Sequence, residues 1–183
     1  MKRVVRLSVL LWLMFLLVGC TDDSVQNAYS NVPARFTFRA CATVPQMKAA
    51  LGGMPGAFFI VRRNNENKYI ITSNEALSNP YTYFPDALDL KLSYICLSGF
   101  VIGTPVYGKG LEAYDLACPN CYLGFVSRPL QFESTTRLAC PKCHCAYSLD
   151  NPQAILVEGV SKATVLHRYH VDYDGLNNLS VYN

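Results

Sequence analysis

Leu111-Glu112-Ala113-Tyr114-Asp115-Leu116-Ala117-Cys118-Pro119-Asn120-Cys121 and Arg137-Leu138-Ala139-Cys140-Pro141-Lys142-Cys143-His144-Cys145-Ala146-Tyr147 carry the decisive pattern of this 183-residue chain. Each segment is a short apolar-alternating run that ends in a C-P-x-C turn. A C-x-x-C turn lets two sulfurs point at one centre while backbone N–H groups point back at the sulfurs. Proline after the first cysteine fixes φ and stiffens the turn. Two such turns, 18 residues apart, match the spacing of four-thiolate metal sites. Cys118, Cys121, Cys140 and Cys143 are therefore the expected ligands of one centre. The donor set suits Zn, a [2Fe–2S] cluster or, less well, a mononuclear Fe. Two disulfides or a thioredoxin-type redox pair are the competing readings. No βαβ pattern surrounds either turn, which weighs against the redox pair.

Outward from these turns the apolar runs stay short and alternate, the mark of half-buried strands. Arg35-Phe36-Thr37-Phe38 is one. Ala57 to Arg62 and Lys68 to Thr72 flank Asn64-Asn65-Glu66-Asn67 and read as a hairpin. Gly99 to Tyr107, Leu111 to Tyr114, Arg137 to Ala139, Thr164 to Val171 and Leu179 to Tyr182 also read as strands. Pro45 to Leu51 suits a turn or two of helix. Residues 74–92 read as a long loop or insertion. The expected class is all-β, in one domain over residues 35–183, with the metal-binding part at about 111–150. The 12 tyrosines fit core and half-buried strand positions better than a binding surface.

These segments resemble the Rieske iron–sulfur domain. That family runs a strand into a C-x-H turn, then a C-P-x-H turn, an aromatic, and a late L-x-x-Y-x-V strand. Here Cys118-Pro119 follows Leu111-Glu112-Ala113-Tyr114-Asp115. Tyr147 follows the second turn, and Leu166-His167-Arg168-Tyr169-His170-Val171 stands where the late strand belongs. The resemblance implies a Rieske-like β-sandwich with a small metal-binding subdomain. It departs at the ligands, because Asn120 and Cys143 occupy the histidine positions and His144 lies one place late. An all-cysteine set resembles a rubredoxin or zinc ribbon, and the potential that histidine ligation gives is not implied.

The N-terminus reads as an address. Lys2, Arg3 and Arg6 precede an apolar run from Leu7 to Val18, too short to span a bilayer and suited to a signal peptide over residues 1–19. Leu17-Val18-Gly19-Cys20 resembles the lipobox of bacterial lipoproteins. The resemblance implies acylation of Cys20 and a tether over residues 20–34. Asp22-Asp23 resembles the acidic export signal of Bacteroidetes lipoproteins, which implies the outer membrane. The n-region, Lys2-Arg3-Val4-Val5-Arg6, has no Arg-Arg pair, so export would not follow the folded, cluster-loaded twin-arginine route. The formal charge is +3, but without Lys2, Arg3 and Arg6 it balances at 13 basic against 13 acidic residues. A neutral chain carries no electrostatic footprint for nucleic acid.

Three cysteines remain. Cys41 and Cys96 could pair as a disulfide or sit as small buried residues. Cys145, two places after Cys143, is a spare thiol or a competitor for the metal. His144 is either a surface residue or a neighbour bonded to a ligand. His167 and His170 are three apart in a strand and do not share a site. No nucleophile–base constellation, phosphate loop or paired carboxylate appears, so no enzymatic activity is expected. Two functions remain: a membrane-tethered electron carrier serving an envelope partner protein, or a non-redox binding or scaffold module with a structural zinc site.

Overall fold

The computed structural model describes residues 29–77, 79–92 and 94–183. The expected signal peptide, the expected acylation site Cys20 and the expected tether up to residue 28 lie outside the described residues. Twelve strands are described. They are β1 (Arg35–Phe38), β2 (Phe58–Arg63), β3 (Tyr69–Ser73), β4 (Tyr81–Tyr83), β5 (Phe100–Gly103), β6 (Glu112–Asp115), β7 (Gln131–Ser134), β8 (Arg137–Ala139), β9 (Ala146–Ser148), β10 (Leu156–Glu158), β11 (Arg168–Tyr173) and β12 (Leu179–Tyr182). Three short helices, α1 (Lys48–Leu51), α2 (Ala87–Lys91) and α3 (Pro119–Tyr122), and two 3₁₀ turns complete the described elements. The protein is mostly β, as its alternating runs require.

The strands form two antiparallel sheets. The larger has the order β1-β12-β11-β6-β5-β2-β3-β4, and the smaller has β10-β9-β8-β7. The smaller sheet is thus an insertion between β6 and β11, two neighbours in the larger one. Phe38 on β1 and Tyr83 on β4 approach to 4.7 Å between ring centroids although their strands end the sheet order. The large sheet is therefore rolled, and its two ends meet over the core.

Strands β2, β5 and β6 explain why their sequences are apolar on both faces. Phe59, Val61, Phe100, Ile102 and Ala113 face an aromatic core shared with Phe36, Phe38, Tyr69 and Tyr169. Phe58, Ile60, Val101 and Tyr114 face the other way, against Leu130, Leu138, Cys140, Cys145 and Tyr147 of the small sheet. Side chains alternate across a strand, so a wall between two cores needs apolar residues at every position. The large core is held by edge-to-face and offset ring pairs, with Phe36 meeting Phe100 at 5.4 Å and Tyr69 at 5.6 Å.

Several sequence boundaries shift for local reasons. The run from Gly99 stops at Gly103 because Thr104 pairs with Pro55 and residues 105–108 turn. The run from Thr164 to Val171 divides. Val165 pairs with Ile155 at the edge of the small sheet, and only Arg168 onward joins the large one. Residues 74–92 are not a plain loop. They contain β4 and α2, whose Asp86 and Asp89 side chains form a reciprocal cap. Arg39 reaches both carboxylates, at 3.0 Å to Asp86 and 2.8 Å to the buried Asp89.

Candidate metal centre

The first cysteine turn grows directly out of β6. Leu116 and Ala117 continue the buried path, Leu130 N–H donates to Leu116 O at 2.8 Å, and Cys118 N–H donates to Arg128 O at 2.7 Å. The turn is thus held on a short hairpin stem formed by residues 116–118 and 128–130. Pro119 opens α3, where a missing N–H costs nothing, and Tyr122 N–H closes the turn on Cys118 O at 3.0 Å. The second turn caps the β8–β9 hairpin. Cys140 N–H donates to Cys145 O at 2.9 Å, and His144 N–H to Cys140 O at 3.0 Å.

The two turns face each other. Cys118 Sγ lies 3.5 Å from Cys143 Sγ, and Cys121 Sγ lies 3.8 Å from Cys140 Sγ. All four sulfurs lie within 4.8 Å of one another. Cys118 and Cys140 are buried, while Cys121 and Cys143 are half-buried. The sequence expectation that these four residues form one site is met in space. The fit to a four-coordinate soft metal rests on this donor set, four thiol sulfurs and no other group.

Backbone donors complete each turn. The Cys121 N–H bonds the Cys118 sulfur, and the Cys145 N–H bonds the Cys143 sulfur. His144 sits at φ +58°, in the left-handed region that side chains with a Cβ seldom adopt. That conformation turns the chain so that the next N–H reaches Cys143. The His144 residue is exposed.

Electrostatics divides the thiols. Burial pushes the Cys118 thiol well above its usual range, and burial also raises Cys121 to about 11. Burial acts upward on Cys143 too. There it is outweighed by hydrogen bonds from the Asn120 side chain, the Cys145 N–H and the neighbouring thiols, which bring it to about 6. Asn120 is the residue that sequence reasoning passed over, having been read only as a departure from histidine. An amide donor at the middle of a C-P-x-C turn was the signal available.

Behind the centre, the buried Asp115 fixes where the metal loop begins. Its carboxylate accepts from Leu97 N–H at 2.7 Å, Ser98 N–H at 3.1 Å and Ala117 N–H at 2.8 Å. Tyr169 on β11 adds its hydroxyl at 3.3 Å. Burial pushes the Asp115 carboxyl up, and the three backbone N–H donors oppose that shift. Cys145 is buried but is not one of the four grouped sulfurs; its thiol points to Val160 O at 3.9 Å. Gly159 makes room for it, since a Cβ there would stand 2.9 Å from the Cys145 sulfur on a backbone at φ +91°.

Cys41 and Cys96 do not pair, and both thiols are free. Cys96 lies next to Ile95, which bridges Arg35 at the start of β1, whereas Cys41 lies past the other end of that strand. Four extended residues set these ends roughly 13 Å apart, far beyond disulfide reach. Burial raises both thiols to about 12, in keeping with small apolar core residues. His167 and His170 also stay apart from the cage. His167 Nδ1 is 3.0 Å from Ser30 Oγ, and its ring meets Tyr122 edge-on at 5.8 Å. His170 stacks on Tyr29 at 3.6 Å. No protein-family model, curated protein or solved structure matches this chain.

Proposed function

We propose that this chain is a lipid-anchored cell-envelope module of Rieske-like architecture whose four cysteines hold one structural Zn²⁺. The observation that carries the metal assignment is the compactness of the sulfur cluster. Tetrahedral Zn²⁺ with bonds of about 2.3 Å needs sulfur–sulfur edges of about 3.8 Å. Two of the pairs stand at 3.5 and 3.8 Å, and no pair exceeds 4.8 Å. A two-iron cluster binds its thiolates in two pairs on separate irons, which asks for a longer cage. Four thiolates close the coordination sphere of Zn²⁺ and leave no position for a substrate, so the centre supports a folded surface rather than a reaction.

The Rieske-like assignment draws support from the insertion of the small sheet between β6 and β11 and from the two cysteine turns at its tip. The anchor rests on Leu17-Val18-Gly19-Cys20. On this reading the surface of the module binds an envelope protein, and electron transfer belongs to the rival reading with iron in the cage.

Metal content and a visible spectrum of the isolated protein test the proposal. The expected result is a colourless protein with one zinc per chain. A red-brown protein containing two irons and labile sulfide would overturn it in favour of an electron carrier, and so would a single bound iron.

A further inference from the structure

We propose that the tip of the metal-binding sheet docks onto an anionic lipid surface, so that the domain sits with its cysteine turns against the membrane. The inference rests on the lipid-anchor reading for its partner, and on three observations for its place.

The first is an apolar tip with no covering. Leu123 is 56% exposed, Phe125 89%, Val126 46% and, beside Cys145, Val160 95%. Phe125 also stands at φ +58°, a conformation costly for a bulky side chain. The left-handed step closes the α3 turn, with Phe125 N–H on Tyr122 O at 2.7 Å, and it leaves the ring facing solvent beside Tyr122. Grouped exposed apolar residues mark an interaction surface.

The second is where the tether joins the fold. Tyr29 and Ser30, the first described residues, wall one surface pocket together with Pro119, Tyr122 and Leu123 of the first cysteine turn. Ser30 bonds His167, whose ring meets Tyr122, and Tyr122 in turn meets Phe125 at 6.4 Å. Tyr29 is only nine residues from Cys20. Nine residues reach at most about 30 Å when extended, so an acylated Cys20 holds this end of the domain near the bilayer.

The third is charge. Arg128, Lys142 and Lys162 are exposed around the tip. The nearby acids Glu133 and Glu158 both pair with Arg137, which leaves the three free basic side chains in excess over the one unbalanced acid. Basic side chains beside exposed apolar ones are the composition that binds anionic lipid interfaces.

The single tryptophan, Trp12, precedes Cys20, so the chain from residue 20 onward has none and still carries every described element. Phe125→Trp therefore gives a lone reporter at the tip. Leu176→Trp gives a control on the exposed turn past the far end of β11. The chain from residue 20, carrying Cys20→Ser, is titrated with vesicles of equal parts phosphatidylglycerol and phosphatidylethanolamine, with and without brominated acyl chains.

The expected result is blue-shifted, bromine-quenched emission for Phe125→Trp and no change for Leu176→Trp. Adding Leu123→Ser should weaken vesicle binding about fivefold. Zwitterionic phosphatidylcholine vesicles should bind more weakly than anionic ones. Unshifted emission from Phe125→Trp, or equal quenching at both positions, would overturn the proposal, including in favour of a protein docking there. Mass analysis of Cys20 in the protein taken from membranes tests the anchor separately. An unacylated Cys20 would end the anchor reading, and the tip would still stand or fall on the titration.

Discussion

Replacing Cys118 with serine should melt the small sheet while leaving the aromatic core of the large sheet folded. Cys118 is fully buried, and its sulfur is within 3.5 Å of Cys143 Sγ. Structural Zn²⁺ contributes about 10–16 kcal/mol of folding free energy in small zinc domains, so one of four ligands is worth roughly 2.5–4 kcal/mol. The lost energy falls on the small-sheet side of the wall, where Leu130, Leu138, Tyr147 and Leu149 depend on the two cysteine turns for their registry. The other face carries its own core of Phe36, Phe38, Phe59, Tyr69, Phe100 and Tyr169. At about 2–4 °C per kcal/mol for a chain of this size, the first unfolding transition should drop by about 5–16 °C. Calorimetry gives the shift, and hydrogen exchange gives its location. Amides of residues 131–158 should lose protection in Cys118→Ser, and those of β2 and β5 should keep it. A variant that binds zinc with unchanged stoichiometry and melts as the unaltered protein does would refute the cage. Uniform loss of protection across both sheets would refute the division into two cores.

Phe59→Ala should cost about 3–5 kcal/mol, because the ring is fully buried in the large core, and denaturant unfolding measures it. Gly159→Ala should cost about 1–3 kcal/mol, since it combines a left-handed backbone with a Cβ 2.9 Å from the Cys145 sulfur; thermal unfolding with zinc bound reads the loss. Asp174 is held at about 2, chiefly by N–H groups of Asn178 and Leu176 with help from the Asn178 side chain and Asn177 N–H. Its folded pKa lies below the ordinary carboxylate value of 3.8, so its stabilisation is present above that value and fades as pH falls toward 2. Asp174→Ala should flatten the acid limb of the stability curve over that window in metal-free protein, and an unchanged limb would show that the turn does not hold the carboxylate.

How much was legible depends on how local the cause is. The cysteine turns are local devices: proline fixes φ after the first cysteine, and sulfurs three residues apart already converge. Cys118, Cys121, Cys140 and Cys143 were therefore readable as one centre before any fold was known. Alternation likewise gave β1, β3 and β12 almost to the residue, since a half-buried strand writes its own period. β9 and β10 carry only three residues each, too few to establish a period, and β7 leaves three of its four residues exposed, so no apolar alternation marks it. They exist because the inserted sheet buries one face on β2, β5 and β6.

The sequence alone determined the all-β class and the four grouped thiols. Both are announced by local signals, the period of the apolar runs and the two C-P-x-C turns, although the sulfur contacts themselves span 25 and 19 residues. Tertiary structure decided the rest. It separated Cys41 from Cys96 by the length of β1, and it excluded Cys145 from the sulfur cluster by turning its thiol toward Val160. It brought the Asn120 amide to Cys143, and it set Tyr29 beside the first cysteine turn. Each of these depends on where distant segments meet as the sheet rolls, and no window of sequence contains that information.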